Sequence, residues 1–156
     1  MNAIILFSHG SLLCGAEQAL QAHAEHLRRQ GLAPLVRIGF LNYTEPLFPQ
    51  TVAECVAQGA THILVVPYFL VPGYFVRVDL PRLLDEARAR FPSVTFTVTD
   101  AIGYDERLAD ALIASAQAAR PLEHERDVWK QAAAFCRRNP ECPLFATPRC
   151  PATGSE

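Results

Sequence analysis

Short apolar runs alternate with longer amphipathic segments along this chain, and this alternation limits the possible folds more than any other feature of the sequence. The apolar runs predict β-strands at residues 3–8, 35–41, 62–67 and 94–99. The amphipathic segments predict helices at residues 15–30, 47–58, 79–90 and 105–119. Because successive strand–helix units build a parallel sheet with right-handed crossovers, we predict an α/β fold. It has an open four-stranded parallel sheet with helices on both faces.

The stretch between the third predicted strand and the third predicted helix lacks a regular apolar pattern. Residues 68–76 predict a long loop rich in aromatic side chains, because Pro72 and Gly73 break regular structure there. The next helix is expected to begin at Val78 or Asp79.

The length of the chain allows one hydrophobic core. Half of the 156 residues are hydrophobic, which suffices for one well-formed core and not for two ordinary domains. We therefore expect an α/β domain over residues 1–120. Residues 121–156 are expected to form a C-terminal extension, with a short helix over 122–137 and then an irregular tail rich in cysteine and proline.

Charge and composition argue against several kinds of partner. The formal net charge is −2 and no long basic run occurs, so we expect no nucleic-acid partner. The first apolar run is too short to cross a bilayer and follows no charged leader, so we expect no membrane partner and a cytoplasmic protein. The five cysteines are an odd number, which argues against a simple disulfide framework.

The first predicted strand ends at His9, Gly10 and Ser11. Open α/β sheets bind ligands beyond the carboxyl ends of their strands, so an imidazole here is a candidate functional group. Gly10 allows a tight turn or a close approach of the backbone to a bound group. Ser11 can cap the following helix. The pattern leaves open the alternative that His9 makes hydrogen bonds within its loop and nothing more.

Polar and aromatic side chains also follow the other three predicted strands. They are Asn42 and Glu45 after the second strand, Tyr68, Tyr74 and Phe75 after the third, and Asp100 after the fourth. A histidine and a carboxylate that meet at this edge can hold a divalent metal or act as an acid–base pair, and spacing does not decide between these roles. An alternative for Glu45 is a carboxylate that favours the dipole at the start of a helix.

A set of motifs occurs in one order along residues 3–118. They are His9-Gly10-Ser11, Glu45-Pro46, Val65-Val66-Pro67-Tyr68-Phe69-Leu70, Gly73, Asp79-Leu80-Pro81 and Gly103-Tyr104-Asp105-Glu106-Arg107-Leu108. With these motifs the chain resembles the small form of the sirohydrochlorin cobaltochelatase family, which are class II tetrapyrrole chelatases. The resemblance implies insertion of a divalent metal into sirohydrochlorin or a related precursor of cobalamin or siroheme. The metal would be cobalt or iron, and in some relatives nickel. A homodimer around the tetrapyrrole is also implied.

The resemblance assigns roles to particular residues. His9 would be the metal ligand and proton acceptor, with Glu45 as its partner, since the metal must lose its water shell and the macrocycle its pyrrolic protons. Ser11 would contact the substrate, and Tyr74 and Phe75 would pack on the flat ring together with Phe69 and Leu70. Arg77 would meet the peripheral carboxylates of the macrocycle. The alternative for Arg77 is a solvated surface arginine.

Two positions depart from the family pattern. The second metal-binding histidine of the family is expected where this chain has Phe75, and the arginine that often follows the His-Gly-Ser motif is Leu12 here. A phenyl ring cannot bind a metal ion. The rival hypothesis is therefore a non-catalytic tetrapyrrole or metal carrier that kept the chelatase fold.

The cysteines supply further candidate ligands. Cys14 lies five residues after His9, and its thiolate would be a soft ligand for iron, cobalt or zinc. The alternative is a small buried apolar side chain. Cys136, Cys142 and Cys150 crowd the end of the chain and could hold a metal ion or an iron–sulfur cluster, with free thiols as the alternative.

Overall fold

The computed structural model describes residues 1–11, 16–119 and 121, and the chain divides into two units. The first unit extends to Gly103 and contains strands β1 (Asn2–Ser8), β2 (Leu35–Phe40), β3 (His62–Pro67) and β4 (Thr95–Val98). Its helices are α1 (Ala16–Arg29), α2 (Phe48–Ala57) and α3 (Leu80–Arg90). A π-helical turn, Phe75–Asp79, directly precedes α3.

The described part of the second unit begins at Tyr104 and holds helix α4 (Glu106–Gln117). The predicted short helix over 122–137 and the tail after it lie outside the described residues. None of the described helices has both the length and the apolar character that a membrane span requires.

The strands form one parallel sheet in the order β2-β1-β3-β4. β1 pairs on both sides, so that Ala3 lies opposite Leu35 of β2 and Ile63 of β3. Five consecutive residues of β1, from Ala3 to Phe7, are buried. Such a continuous apolar run is typical of a central strand covered on both faces. The predicted α/β fold with an open four-stranded parallel sheet is confirmed.

Helices cover both faces of the sheet, as predicted. Side chains alternate along a strand, so Ile5 and Phe7 of β1 point to one face, while Ile4 and Leu6 point to the other. The first pair packs in a cluster with α2 and α3. The second pair packs in a cluster with α1. Full burial of a side chain such as Phe7 contributes about 2–3 kcal/mol, so these two clusters fix β1 at the centre of the unit.

The segment between β3 and α3 is only partly a loop. The sequence predicts a loop up to Val76, but helical structure begins at Tyr74, so the prediction is wrong for the last three residues. Pro81 in α3 has no N–H to donate, and a regular α-helical ladder cannot run unbroken through it. The π turn supplies a different pattern, in which the N–H of Leu80 donates to the carbonyl of Phe75, five residues earlier. Residues 74–76, which the sequence predicts as loop, therefore lie in helical structure.

Candidate active site

The turn after β1 is joined to the turn after β2 by hydrogen bonds that continue the sheet. The N–H of Leu41 donates to the carbonyl of Ser8, and that of Asn42 to the carbonyl of His9, both at 2.9 Å. Gly10 has a φ of +92°, and a Cβ atom there would overlap the carbonyl oxygen of Asn42. Glycine satisfies both conditions, and its small size lets the two turns touch where His9 leaves the sheet.

The half-buried imidazole of His9 is oriented by its own turn. Its Nδ1 lies 3.2 Å from the carbonyl oxygen of Gly10. A carbonyl oxygen accepts hydrogen bonds and cannot donate them, so Nδ1 carries the proton in this contact. The neutral ring then has its lone pair on Nε2. That nitrogen can bind a metal ion or accept a proton.

Two aromatic rings lie against this imidazole. The centroid of Phe75 is 4.3 Å from that of His9 with the planes at 36°, and the centroid of Tyr43 is 5.6 Å away in an edge-on arrangement. Tyr74 is next to Phe75, with their centroids 6.4 Å apart. Phe75 is 37% exposed and Tyr74 66% exposed. Apolar ring surface is therefore open to solvent directly beside His9.

Phe69 and Leu70 take different positions in this surface. The Phe69 ring is half-buried between Phe7 and Phe75, with centroids 5.9 Å and 6.2 Å away. Phe69 thus links Phe75 to the core of the sheet. Leu70 is 53% exposed, and its carbonyl accepts a hydrogen bond from the N–H of Gly103. Of the two residues predicted to extend the apolar floor, Leu70 presents more surface to solvent.

Glu45 lies exposed in the turn after β2, and the structure does not join it to His9. No hydrogen bond or ion pair links these two side chains, both of which the structure describes. Within residues 1–11, 16–119 and 121, no three His, Cys, Asp or Glu side chains lie close enough together to hold a metal ion. His9 offers a single nitrogen ligand in this arrangement. Its pairing with Glu45 stays a prediction.

Ser11 and Arg77 are the other predicted substrate-binding residues. The N–H of Ser11 donates to Oγ1 of Thr44 at 2.9 Å, and the Thr44 hydroxyl donates to the carbonyl of Ser11 at 3.2 Å. Arg77 is exposed on the π turn, and none of the ion pairs in the described part of the chain includes it. Its guanidinium can meet an anionic group of a ligand. The roles of both residues stay predictions.

Tyr68 and Asp100, which also follow strands at this edge, have other surroundings. The Tyr68 hydroxyl lies 3.3 Å from Nε2 of His23 in α1, and the two rings pack with centroids 5.3 Å apart. Asp100 lines an open cavity of about 440 Å³, together with Pro72, Val76, Val98, Thr99, Ala101 and Gly103. We assign neither Tyr68 nor Asp100 to the candidate site.

The cysteines predicted as ligands, Cys14, Cys136, Cys142 and Cys150, lie outside the described residues. A metal or iron–sulfur site built from them stays a prediction. Cys55 is described and is fully buried in α2. Burial raises the pKa of its thiol to about 11. Because the thiolate is the form that attacks and binds metals, Cys55 is a core residue and not a functional one.

Sequence reasoning missed two residues of this site, Tyr43 and Thr44. Tyr43 contacts the His9 ring from a left-handed backbone conformation with φ +65°, which is uncommon for a tyrosine. Thr44 binds the backbone of Ser11. The sequence pattern marks this stretch as the end of a strand and singles out only Asn42 and Glu45. The sequence offered one signal for these two residues. The turn after a strand that pairs with β1 must lie beside the turn that carries His9.

Curated proteins similar to this chain are sirohydrochlorin chelatases. The cobaltochelatase of Methanocaldococcus jannaschii is 42% identical over 84 residues, which are 54% of this chain and 59% of that protein. The ferrochelatase of Bacillus subtilis is 34% identical over 71% of this chain and 42% of its own. The cobaltochelatase of Saccharolobus solfataricus is 31% identical over 72% of this chain and 91% of its own. The chain spans about half the length of several of these relatives, between 42% and 59%.

Solved structures similar to this chain include a sirohydrochlorin chelatase and a CbiX protein. The sirohydrochlorin chelatase SirB of Bacillus subtilis subspecies spizizenii, in complex with cobalt, matches with a TM-score of 0.70 and 31% identity, over 81% of this chain and 58% of that one. A CbiX protein of Marinobacter aquaeolei VT8 matches with a TM-score of 0.58 and 27% identity, over 81% of this chain and 99% of that one. The CbiX family model matches residues 3–119. The chain belongs to the CbiX family.

Proposed function

We propose that this protein inserts a divalent metal, cobalt or iron, into sirohydrochlorin or a related tetrapyrrole precursor of cobalamin or siroheme. The observation that carries the proposal is the imidazole of His9, whose Nε2 has the lone pair and which lies beside the exposed rings of Tyr74 and Phe75. Metal insertion into a flat macrocycle needs a base or ligand next to an apolar surface. The cobaltochelatases and ferrochelatases among the relatives support the same reaction.

His9 is the proposed proton acceptor. The macrocycle loses two pyrrolic protons when the metal enters. Once the metal has left Nε2 for the ring, that nitrogen takes one of these protons, since a neutral imidazole is a suitable general base near neutral pH, and the other passes to the partner carboxylate or to water. When Nε2 takes a proton, the ring becomes cationic and its Nδ1–H bond to the Gly10 carbonyl strengthens. Glu45, exposed in the neighbouring turn, is the proposed partner.

The metal is a substrate, so it must be held briefly and then released into the ring. Imidazole nitrogen is an ordinary ligand for divalent iron, cobalt and nickel, and we include nickel among the possible substrates on this ground. His9 supplies one such nitrogen, and the described residues offer no ready group of three ligands around it. Weak binding of this kind favours transfer, because a tightly held ion would stay with the protein.

The macrocycle is proposed to lie on the aromatic surface beside His9. Tyr74 and Phe75 pack on its flat face, where large rings bury much apolar area. Arg77, on the same π turn, meets a carboxylate at the edge of the macrocycle. Ser11 contributes a contact from the turn that carries His9.

We propose that two copies of the chain enclose the macrocycle. A flat ring has two faces, and one aromatic surface covers one of them. The chain matches 58% of the SirB chain, which supports the view that a second copy supplies the remainder. We further propose a cytoplasmic location, since the described helices include no membrane span.

The proposal is tested by anaerobic insertion of cobalt, iron or nickel into sirohydrochlorin, followed by visible absorbance. We expect turnover above the spontaneous rate and a loss of about 100-fold or more in His9→Ala, since general base catalysis contributes factors of this order. His26→Ala is the matched control, because His26 is an exposed histidine of α1 that the site does not use.

Two outcomes would contradict the proposal. Equal turnover in His9→Ala and the unaltered protein would remove His9 from the reaction. Binding of sirohydrochlorin without turnover would favour the rival hypothesis of a carrier, which the activities of the relatives do not support.

A further inference from the structure

The hydroxyl group of Thr44 makes two hydrogen bonds to the backbone of a residue 33 positions earlier. Its Oγ1 accepts from the N–H of Ser11 at 2.9 Å, and its O–H donates to the carbonyl of Ser11 at 3.2 Å. One side chain thus satisfies both polar groups of one peptide residue, in the way that a neighbouring strand would. The backbone of Thr44 is itself held, since its N–H donates to the carbonyl of Asn42 at 2.8 Å.

These bonds complete the support of the turn that carries His9. At one end of the turn, the N–H of Asn42 binds the carbonyl of His9 at 2.9 Å. At the other end, Thr44 binds Ser11. Gly10 lies between these two points, packed so closely on Asn42 that a Cβ atom does not fit. The peptide after Gly10 therefore has a fixed position.

That peptide contains the acceptor for the imidazole. Nδ1 of His9 donates to the carbonyl of Gly10, which is directly followed by Ser11. If the Ser11 end of the turn moves, the carbonyl moves with it, and the reason for keeping the proton on Nδ1 is lost. Thr44 also directly follows Tyr43, whose ring lies edge-on to His9. The side chain of Thr44 thus acts on the imidazole through the Ser11 backbone alone, and none of the contacts described for Thr44 joins it to the imidazole.

We infer that Thr44 is a positioning residue, which holds the Ser11 backbone so that His9 keeps its proton on Nδ1 and its lone pair on Nε2. The expected effect on turnover rests on the proposed function. The expected effect on the imidazole does not.

The variant Thr44→Val keeps the shape of the side chain and removes both hydrogen bonds. We expect kcat for cobalt insertion to fall at least about tenfold and KM for sirohydrochlorin to rise by a smaller factor, because the lost hydrogen bonds position a reacting group, while Ser11 is one of several proposed contacts to the substrate. Thr44→Ser keeps the hydroxyl and should retain kcat within about twofold, in line with the preserved hydrogen bonds.

Thr51→Val is the matched control for the loss of a threonine hydroxyl. Thr51 is buried in α2, and its hydroxyl donates to the carbonyl of Ile38 at 2.9 Å. We expect this variant to melt at a lower temperature with kcat unchanged. If Thr44→Val lowers the melting temperature and leaves kcat unchanged in the same way, Thr44 is structural and the inference is wrong.

A second measurement reads the imidazole directly. Long-range ¹H–¹⁵N NMR spectra at alkaline pH, where imidazole side chains are neutral, distinguish the nitrogen that carries the proton. The His9 signals are identified by their absence in His9→Ala. We expect the Nδ1–H form in the unaltered protein and in Thr44→Ser, and a mixture of both forms in Thr44→Val. An unchanged Nδ1–H form in Thr44→Val would overturn the inference. If the unaltered protein inserts no metal, the proposed function fails while this measurement still decides the role of Thr44.

Discussion

Gly10 has to satisfy two separate conditions. Its φ of +92° is one that side-chain-bearing residues rarely adopt, and the space where a Cβ atom would lie is filled by the carbonyl of Asn42. Gly31 and Gly59 also have positive φ values, of +73° and +88°, but nothing lies within 4 Å of their Cβ positions. Alanine substitutions at these positions therefore separate the free-energy cost of the backbone conformation from that of the overlap with the Asn42 carbonyl.

We therefore predict that Gly10→Ala lowers the free energy of unfolding more than Gly31→Ala does. The backbone conformation alone costs about 1–2 kcal/mol in either variant. At Gly10 the Asn42 carbonyl must also move, and its hydrogen-bonded turn moves with it. Urea denaturation gives both values. Equal losses in the two variants would show that the turn after β2 yields easily, and that close packing there is not required.

Some residues of the candidate site could be predicted from the sequence. A strand that ends in His-Gly-Ser fixes where His9 lies, because the strand pattern is strong and the carboxyl edge follows from parallel pairing. The direction of the Glu45 side chain could not be predicted from the sequence, since it depends on backbone angles within a turn. Tyr43, with its φ of +65°, shows how far one residue of that turn departs from an extended chain. Local propensity does not specify such angles.

At the scale of elements, helix α4 has a marked start. Asp105 accepts a hydrogen bond from the N–H of Arg107 at 2.9 Å and forms an ion pair with its guanidinium at 2.8 Å. The hydrogen bonds and charge of Arg107 lower the pKa of Asp105 to about 2. Because this value is below the ordinary one of 3.8, the carboxylate stabilises the helix above about pH 4, and the contribution is lost as the pH falls toward 2.

We predict that Asp105→Ala loosens the first turn of α4 at neutral pH. In the unaltered protein, protonation of Asp105 between about pH 4 and pH 2 should loosen the same turn, and the variant should not show this pH-dependent change. Backbone NMR chemical shifts of Glu106–Leu108 measure both effects. Asp110→Ala, on the same helix but not at its start, is the control. The prediction fails if the two variants shift these signals equally.

The strands and helices of the first unit were largely predictable, because their apolar periodicity is strong and each is needed to bury the sheet. The π turn was not. Pro72 and Gly73 signal a break in regular structure, and Pro81 is compatible with the first turn of a helix. These local signals do not reveal that the backbone regains helical form at Tyr74. Packing of Phe75 on the nearby Phe69, and on His9, which is distant in sequence, accompanies that form.

For the whole molecule, we predict a dimer with twice the mass of one chain, measured by light scattering after size-exclusion chromatography. Val71 is 69% exposed and directly follows Leu70 on the connection after β3. Val71→Glu places a charge there and should shift the protein toward monomer, because a buried unpaired carboxylate opposes association. Leu32→Glu is the control, since Leu32 is 60% exposed before β2, at the opposite edge of the sheet. A monomer in the presence of sirohydrochlorin would contradict the proposed pairing.

The strand order β2-β1-β3-β4 has a consequence for how such a site can change. After β1 the chain crosses to the face of α1, and after β3 it crosses to the face of α3. The two connections leave neighbouring strands toward opposite faces, which is the arrangement in which open α/β sheets bind ligands beyond the strand ends. This property follows from connectivity and does not depend on which side chains stand there. Residues such as Phe75 can therefore be exchanged without rebuilding the scaffold, so that chemistry and architecture can change separately.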